Sequence, residues 1–353
     1  MKLARKVVAS TLMMGAMMTS MVGCGTNDSA ATNSTATNNV EATTEAETEG
    51  KSEVAEGSID LSDSTLDELT ITHVTSPLNV PSIIQKNKNI FVDEFSKNGK
   101  SIEIKYAEIT SGADQTQALA SGDVDVLYAV GGTSIISAAA NGADIKILNM
   151  YSRSPEAFCL YSKDENIKSP EDLRGKTVAG PVGTNLHQLL VAYLKQANMT
   201  IEDINYVNMS IPDAKAALDG GSIDAALVAG PTAYKSKQQG YHLVTNGKGL
   251  TDAVIAVAVR EDFYNEHKEE LQAFMNAEES IIKFINENHD ETMEIVAKEL
   301  DLDKAAVEEM FTQYDFNIEI TEEDYKAFQN IADFMYETEM IEAPFNTEQL
   351  FIK

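Results

Sequence analysis

The chain has 353 residues, enough for two ordinary domains, and 43% of them are apolar, enough to build packed cores. A formal net charge of -29 sets the chain against nucleic acid phosphates as partners. Two cysteines and no tryptophan exclude a disulfide framework.

The first residues form a leader. Lys2, Arg5 and Lys6 precede the apolar run VVASTLMMGAMM, which is shorter than a membrane span. It ends at MVGC, which resembles the lipobox of bacterial lipoproteins, with Met21 where that pattern prefers leucine. The resemblance implies a signal peptide over 1–23, removed so that a lipid-carrying Cys24 becomes the first residue. A cleaved secretory signal with an incidental cysteine is the plainer alternative. Residues 24–68 are rich in Thr, Ser, Asn, Ala and Glu and poor in large apolar side chains. Such a stretch cannot bury enough surface to offset its ordering entropy, so it reads as a disordered tether between lipid and domain.

The folded part begins at Leu69. LTITHV alternates as a strand, TSPLNVPSIIQKNKNIF supplies a loop and a helix, and SIEIKYAEI is a second alternating strand. In SGADQTQALASG, Ser111 and Asp114 mark a helix start and Gly122 its stop. DVDVLYAV is a third strand, GGTSIISAAANG a loop with a short helix, and IKILNMYSRS a fourth strand. AFCLYSKD opens a new unit, and its neighbours make Cys159 a buried strand thiol. KSPEDLRG caps at Ser169, carries Pro170 in the first helical position and ends at Gly175. KTVAG, INYVNM and IDAALVAG are strands separated by helices, and YHLVTNG closes the unit. VIAVAV, from Val254, is a strand buried on both faces, followed by helices to the end. Strands alternating with helices imply βαβ units with mainly parallel sheets. ALASGDVDV at Ala118 and ALDGGSIDA at Ala217 repeat one helix–turn–strand corner, as expected of two similar α/β units.

KSPEDLRGKTVAG followed by the GTNLH loop resembles the solute-binding proteins of ABC importers, in the group described for nitrate, aliphatic sulfonates, taurine and thiamine-pyrimidine precursors. SGADQTQALASGDVDV, AALDGGSIDAALVAGP and the tail from YDFNIEI carry the same resemblance, which runs from about Leu69 to the end. It implies an α/β, two-lobed periplasmic-binding-protein-like fold of type II. Lobe 1 would be 69–151 with 255–353, and lobe 2 would be 152–254. Two crossovers would lie near Met150–Arg153 and Asp252–Val254, with ligand closing the cleft between lobes. It also implies a non-catalytic monomer outside the cell, held to the membrane by lipid and working with a permease and an ATPase, with no metal or cofactor.

Ligands of open α/β sheets bind beyond the carboxyl ends of strands, so the loops there are the candidates. In lobe 1 these are Thr75 and Ser76, then Ser111, Gly112 and Gln115, then Gly131, Gly132, Thr133 and Ser134. In lobe 2 they are Gly183, Thr184, Asn185 and His187, with Pro231 and Tyr234. Tyr151 and Asp252 stand at the crossovers, as a wall and as a partner for an amine or hydroxyl. The plainer readings are turn glycines, ordinary helix caps, core tyrosines and a surface acid. VAGP before the helix of Tyr234 has small residues where relatives often carry a Trp and an acid, which suggests a roomier or less polar wall. The candidate loops lack Lys and Arg, leaving Arg153 and Arg260 as the cations expected near the crossovers. Two other functions share the fold: a surface ligand sensor, and a thiamine-pyrimidine or menaquinone biosynthetic enzyme. The leader argues against the enzymes, as does the lack of a cysteine-rich motif.

Overall fold

Residues 59–352 are described by the computed structural model of the chain. The expected leader, the lipid-carrying Cys24 and the tether as far as residue 58 lie outside the described residues. The end of the expected tether is structured: Leu61 is 1% exposed and belongs to the core, and its N–H donates to the Asn98 carbonyl. One buried leucine is enough to fix the entry to the first strand, so the disordered stretch read as far as residue 68 is corrected at its end.

In chain order the elements are β1 (Glu68–Thr72), α1 (Val80–Lys88), α2 (Ile90–Lys97), β2 (Glu103–Ala107), α3 (Gly112–Ser121), β3 (Val126–Gly131), α4 (Gly132–Ala140) and β4 (Lys146–Arg153). Then come β5 (Phe158–Ser162), β6 (Thr177–Gly180), α5 (Asn185–Lys195), β7 (Asn205–Asn208), α6 (Ile211–Asp219), β8 (Ala225–Ala229), α7 (Gly230–Gln238) and β9 (His242–Asn246). β10 (Val254–Val259) is followed by α8 (Glu261–Glu266), α9 (Lys268–Glu287), α10 (His289–Leu300), α11 (Lys304–Phe311) and α12 (Glu322–Glu337).

The strands form two five-stranded sheets with one topology. The first runs β2-β1-β3-β10-β4 and the second β7-β6-β8-β5-β9. In each, one strand is antiparallel to both its neighbours: β10 against β3 and β4, and β5 against β8 and β9. The reason is the hinge. β4 ends on the side facing the other lobe, so the chain enters the second lobe there and its first strand must run away from that side. β10 re-enters the first lobe in the same way. The sheets are therefore mixed, each with one reversed strand among parallel ones. β4 keeps its pairing with β10 up to Arg153, which places the first crossover at 154–157, a few residues later than expected, and the second at 247–253.

The repeated corner occupies equivalent places, as α3–β3 and α6–β8. Asp125 accepts from the Thr70 N–H at 2.8 Å while its own N–H donates to the Thr70 carbonyl at 2.9 Å. Asp224 does the same with Thr177, at 2.8 Å in both directions. Each aspartate ties the entry of one strand to its parallel neighbour, β3 to β1 and β8 to β6, so the motif is scaffold.

Near the other end of β3 the ladder breaks. Val130 and Tyr128 pair with Ala256 and Val257, leaving Ala129 as an extra residue with φ +81. Such a bulge bends its strand, here just before the Gly131–Ser134 loop.

Candidate ligand-binding cleft

The loops at the carboxyl ends of the parallel strands face one another between the lobes. Six helices begin there, and they differ in how their first N–H groups are satisfied; in α6, after β7, the Ser210 hydroxyl accepts from the Asp213 N–H at 3.3 Å. α3 is capped by Ser111, whose hydroxyl accepts from the Asp114 N–H at 3.4 Å. In α1 the Ser82 N–H donates to the Tyr151 hydroxyl at 3.1 Å. α4, α5 and α7 have no side-chain cap. Uncapped first turns leave N–H donors and the positive end of the helix dipole directed at whatever lies before them.

Two of these uncapped ends meet across the cleft. Thr133 of lobe 1, fully buried, donates its hydroxyl to Asn185 Oδ1 of lobe 2 at 2.7 Å. Ser134 donates to the Gly183 carbonyl at 3.1 Å. Gln188 joins the seam: its Oε1 lies 3.3 Å from the Thr133 hydroxyl and accepts from Thr251 at 3.0 Å. The GGTS and GTNLH loops, picked separately from sequence, thus form one polar seam. Gln188 and Thr251 were missed, although Gln188 lies three residues after Asn185 and so on the same helix face, a signal the sequence carried.

Two lobe 1 glycines, at the starts of α3 and α4, serve packing. A Cβ on Gly112 would sit 2.2 Å from Ser134 Oγ, and one on Gly132 would sit 2.9 Å from Val254 Cγ2 and 3.2 Å from Phe328. Gly132 therefore lets α4 lie against β10 and α12, whereas Gly183, at φ +72 with open space around it, makes a turn. Gln115 is buried and spends its amide N–H on the Ile109 carbonyl at 2.7 Å. Thr184 donates to the Pro181 carbonyl at 2.9 Å, holding the turn before α5. Thr75 accepts from the Asn79 N–H at 3.0 Å, and Ser76 is exposed at the rim.

Other candidates sit elsewhere than expected. Tyr151 is 1% exposed, edge-on to Tyr128 and hydrogen-bonded to Ser82, so it is a core residue and not an open wall. His187 stacks on Tyr206 with ring centroids 5.1 Å apart, and its Nδ1 accepts from the Gly183 N–H at 3.3 Å. Burial holds its pKa below the usual value. A ring that accepts at Nδ1 carries its proton on Nε2 and braces the loop as a neutral group. Tyr234 is half-buried and packs against the core, and Pro231 lies in the first turn of α7. Asp252 is exposed and lines a cavity of about 580 Å³ beside the seam, together with Gln188, Thr251, Arg153 and Asn330.

Neither expected cation is available. Arg153 donates from Nε and Nη2 to Asp324 at 2.7 and 2.6 Å, and to the Asn317 and Glu319 carbonyls at 2.7 and 2.9 Å. Arg260 follows the far end of β10 and donates to the carbonyls of Leu119 and Val124, away from the crossovers. Its expected place was wrong because β10 carries it the length of the sheet from Val254. The roomier wall expected at VAGP is also corrected: Pro77 of lobe 1 lies directly against Gly230. Cys159 is 6% exposed and burial pushes its thiol up to about 12. Among the described residues, no three His, Cys, Asp or Glu side chains gather as a metal site.

Two α/β lobes, each with a reversed strand supplied through a hinge, and a polar seam between them define the periplasmic binding protein fold. The family described as NMT1/THI5 like matches residues 95–292, and the chain belongs to it. The chain is 28% identical over 267 residues to a Bacillus subtilis protein named "Putative aliphatic sulfonates-binding protein", covering 74% of this chain and 79% of that one. It is 29% identical over 209 residues to the taurine-binding periplasmic protein of Escherichia coli, covering 58% and 62%. Its fold is shared with the alkanesulfonate-binding protein SsuA from Xanthomonas axonopodis pv. citri, solved bound to MOPS, at a TM-score of 0.73 and 20% identity. That match covers 81% of this chain and 98% of the other.

Proposed function

We propose that the chain is an extracytoplasmic receptor of an ABC importer, held to the membrane by a lipid on Cys24. It captures a small solute between its lobes and passes it to a permease powered by an ATPase. The observation that carries this reading is the seam of Thr133 and Ser134 with Asn185 and Gly183, which joins uncapped helix starts from opposite lobes. A solute placed there contacts both lobes, so its binding energy favours the closed arrangement.

The same geometry supports an oxyanion of the sulfonate type. Helix N–H groups supply donors, joined by the Thr133 and Ser134 hydroxyls where a solute replaces their bonds to Asn185 and Gly183, and no free Lys or Arg is needed to hold a group that spreads one charge over three oxygens. The names of the relatives agree with this class. Nitrate would use the same donors, whereas a neutral heterocycle would leave the helix dipoles without a charge to stabilise. The reading is of a receptor, not an enzyme, because its side chains hold and orient without presenting an activated nucleophile. Cys159, the thiol of the folded part, is buried and protonated.

Calorimetry on the purified chain tests this with taurine, methanesulfonate, MOPS, nitrate and a pyrimidine. Saturable binding of a sulfonate, with a matching rise in melting temperature, is expected. Binding of the pyrimidine alone, or turnover of any of these compounds, would contradict the reading.

A further inference from the structure

We infer that Gly230 is the positioning residue that sets how far the cleft closes, through a backbone-to-backbone stop against Pro77. The inference rests on the reading of the lobes as closing on a solute. Gly230 starts α7 in lobe 2, with φ +53, and Pro77 lies in the loop between β1 and α1 of lobe 1. A Cβ on Gly230 would sit 1.4 Å from the Pro77 carbonyl oxygen, 2.3 Å from its carbon and 2.8 Å from its Cα. Side-chain movement cannot relieve that overlap, because the atoms met are backbone.

The loop carrying Pro77 is also held in place. Asn79 donates from Nδ2 to the Val74 carbonyl at 2.8 Å, and from its N–H to the Thr75 carbonyl at 3.0 Å. The stop is thus a fixed loop meeting a helix start that lacks a side chain. In the closed arrangement any residue but glycine collides; with the lobes apart, the same residue meets nothing from the other lobe. A side chain at 230 therefore acts on the closed state specifically.

Two charge pairs also join the lobes. Lys237 of α7 pairs with Glu309 of α11, and Lys195 of α5 pairs with Glu337 of α12 at 2.6 Å. In both, lobe 2 supplies the lysine and lobe 1 the glutamate. All four side chains are well exposed, so these pairs guide approach more than they hold it.

The test needs no solute, so its outcome is independent of which compound binds. Nitroxide labels on cysteines introduced at the exposed, opposite-lobe positions Asn141 and Ser222 report lobe separation in the full chain, with Cys24 and Cys159 changed to serine. Gly230→Ala is compared with Gly240→Ala, since Gly240 has φ +76 and open space around it. The control carries the same backbone strain without the collision. Gly230→Ala should shift the distance distribution to longer values, while Gly240→Ala keeps that of the parent. A parental distribution in Gly230→Ala, or equal opening in Gly240→Ala, overturns the inference. Asn79→Ala, which frees the Pro77 loop from the bonds that Asn79 Nδ2 makes to the Val74 and Ser76 carbonyls, covers the case in which Gly230→Ala fails to fold. With the stop loosened the lobes should approach more closely, so a shift to shorter distances supports the inference and an unchanged distance overturns it.

Discussion

Asp125 and Asp224 each hold a neighbouring strand by two hydrogen bonds, one from the side chain and one from the backbone. The bond to the carboxylate is charge-assisted and stronger than a neutral one. Asp224→Ala should therefore cost about 1.5–3 kcal/mol in urea unfolding. Asp224→Asn should cost less, because its amide oxygen still accepts from Thr177. Neither change should alter solute affinity, since the corner lies at the end of the sheet away from the cleft. Loss of affinity at unchanged stability would return the motif to the binding site. Arg153 teaches a related lesson: its place at the crossover suggested a ligand contact, but Asp324 and two carbonyls consume its donors.

The elements show where sequence was informative. The order of strands and helices, the cap at Ser169 and the burial of VIAVAV follow from local rules and were legible. The reversed direction of β5 and β10 was not, because apolar runs look alike in either direction and only the hinge sets their sense. Both seam loops were found because glycine before a helix start is a local signal. Gly230 and Pro77 were missed as partners, since neither position hints at a neighbour in the other lobe. The packing of α9 on β4 holds a further hidden feature. Glu278 is 1% exposed, accepts from Asn149 Nδ2 at 2.6 Å, and is pushed by burial up to about 8 from 4.5. A carboxyl whose pKa is raised in the folded state favours folding below the unfolded value. That contribution is lost as pH rises from 4.5 to about 8 and then stays level. Glu278→Gln removes the ionisable proton and offers an N–H to Asn149 Oδ1, which has no partner among the described residues. The variant should be more stable than the parent at pH 8 by about 1.4 kcal/mol or more, the equivalent of one pKa unit, with little difference at acidic pH. Parallel urea curves at the two pH values check this; an unchanged gap between variant and parent would contradict it.

At the scale of the whole molecule, the acidic surface and the cleft work in opposite senses. A net charge of -29 repels anions at long range, while the cleft offers uncapped helix starts and hydroxyls at short range. Capture then depends on both lobes contributing donors together, with Gly230 and Pro77 limiting how far they approach. Hydrogen exchange measured with and without a bound sulfonate tests that claim most directly. The account predicts that amides of Gly132–Ser134 in lobe 1 and Asn185–His187 in lobe 2 gain protection together on binding. Protection confined to one lobe, or appearing at neither set, would contradict it.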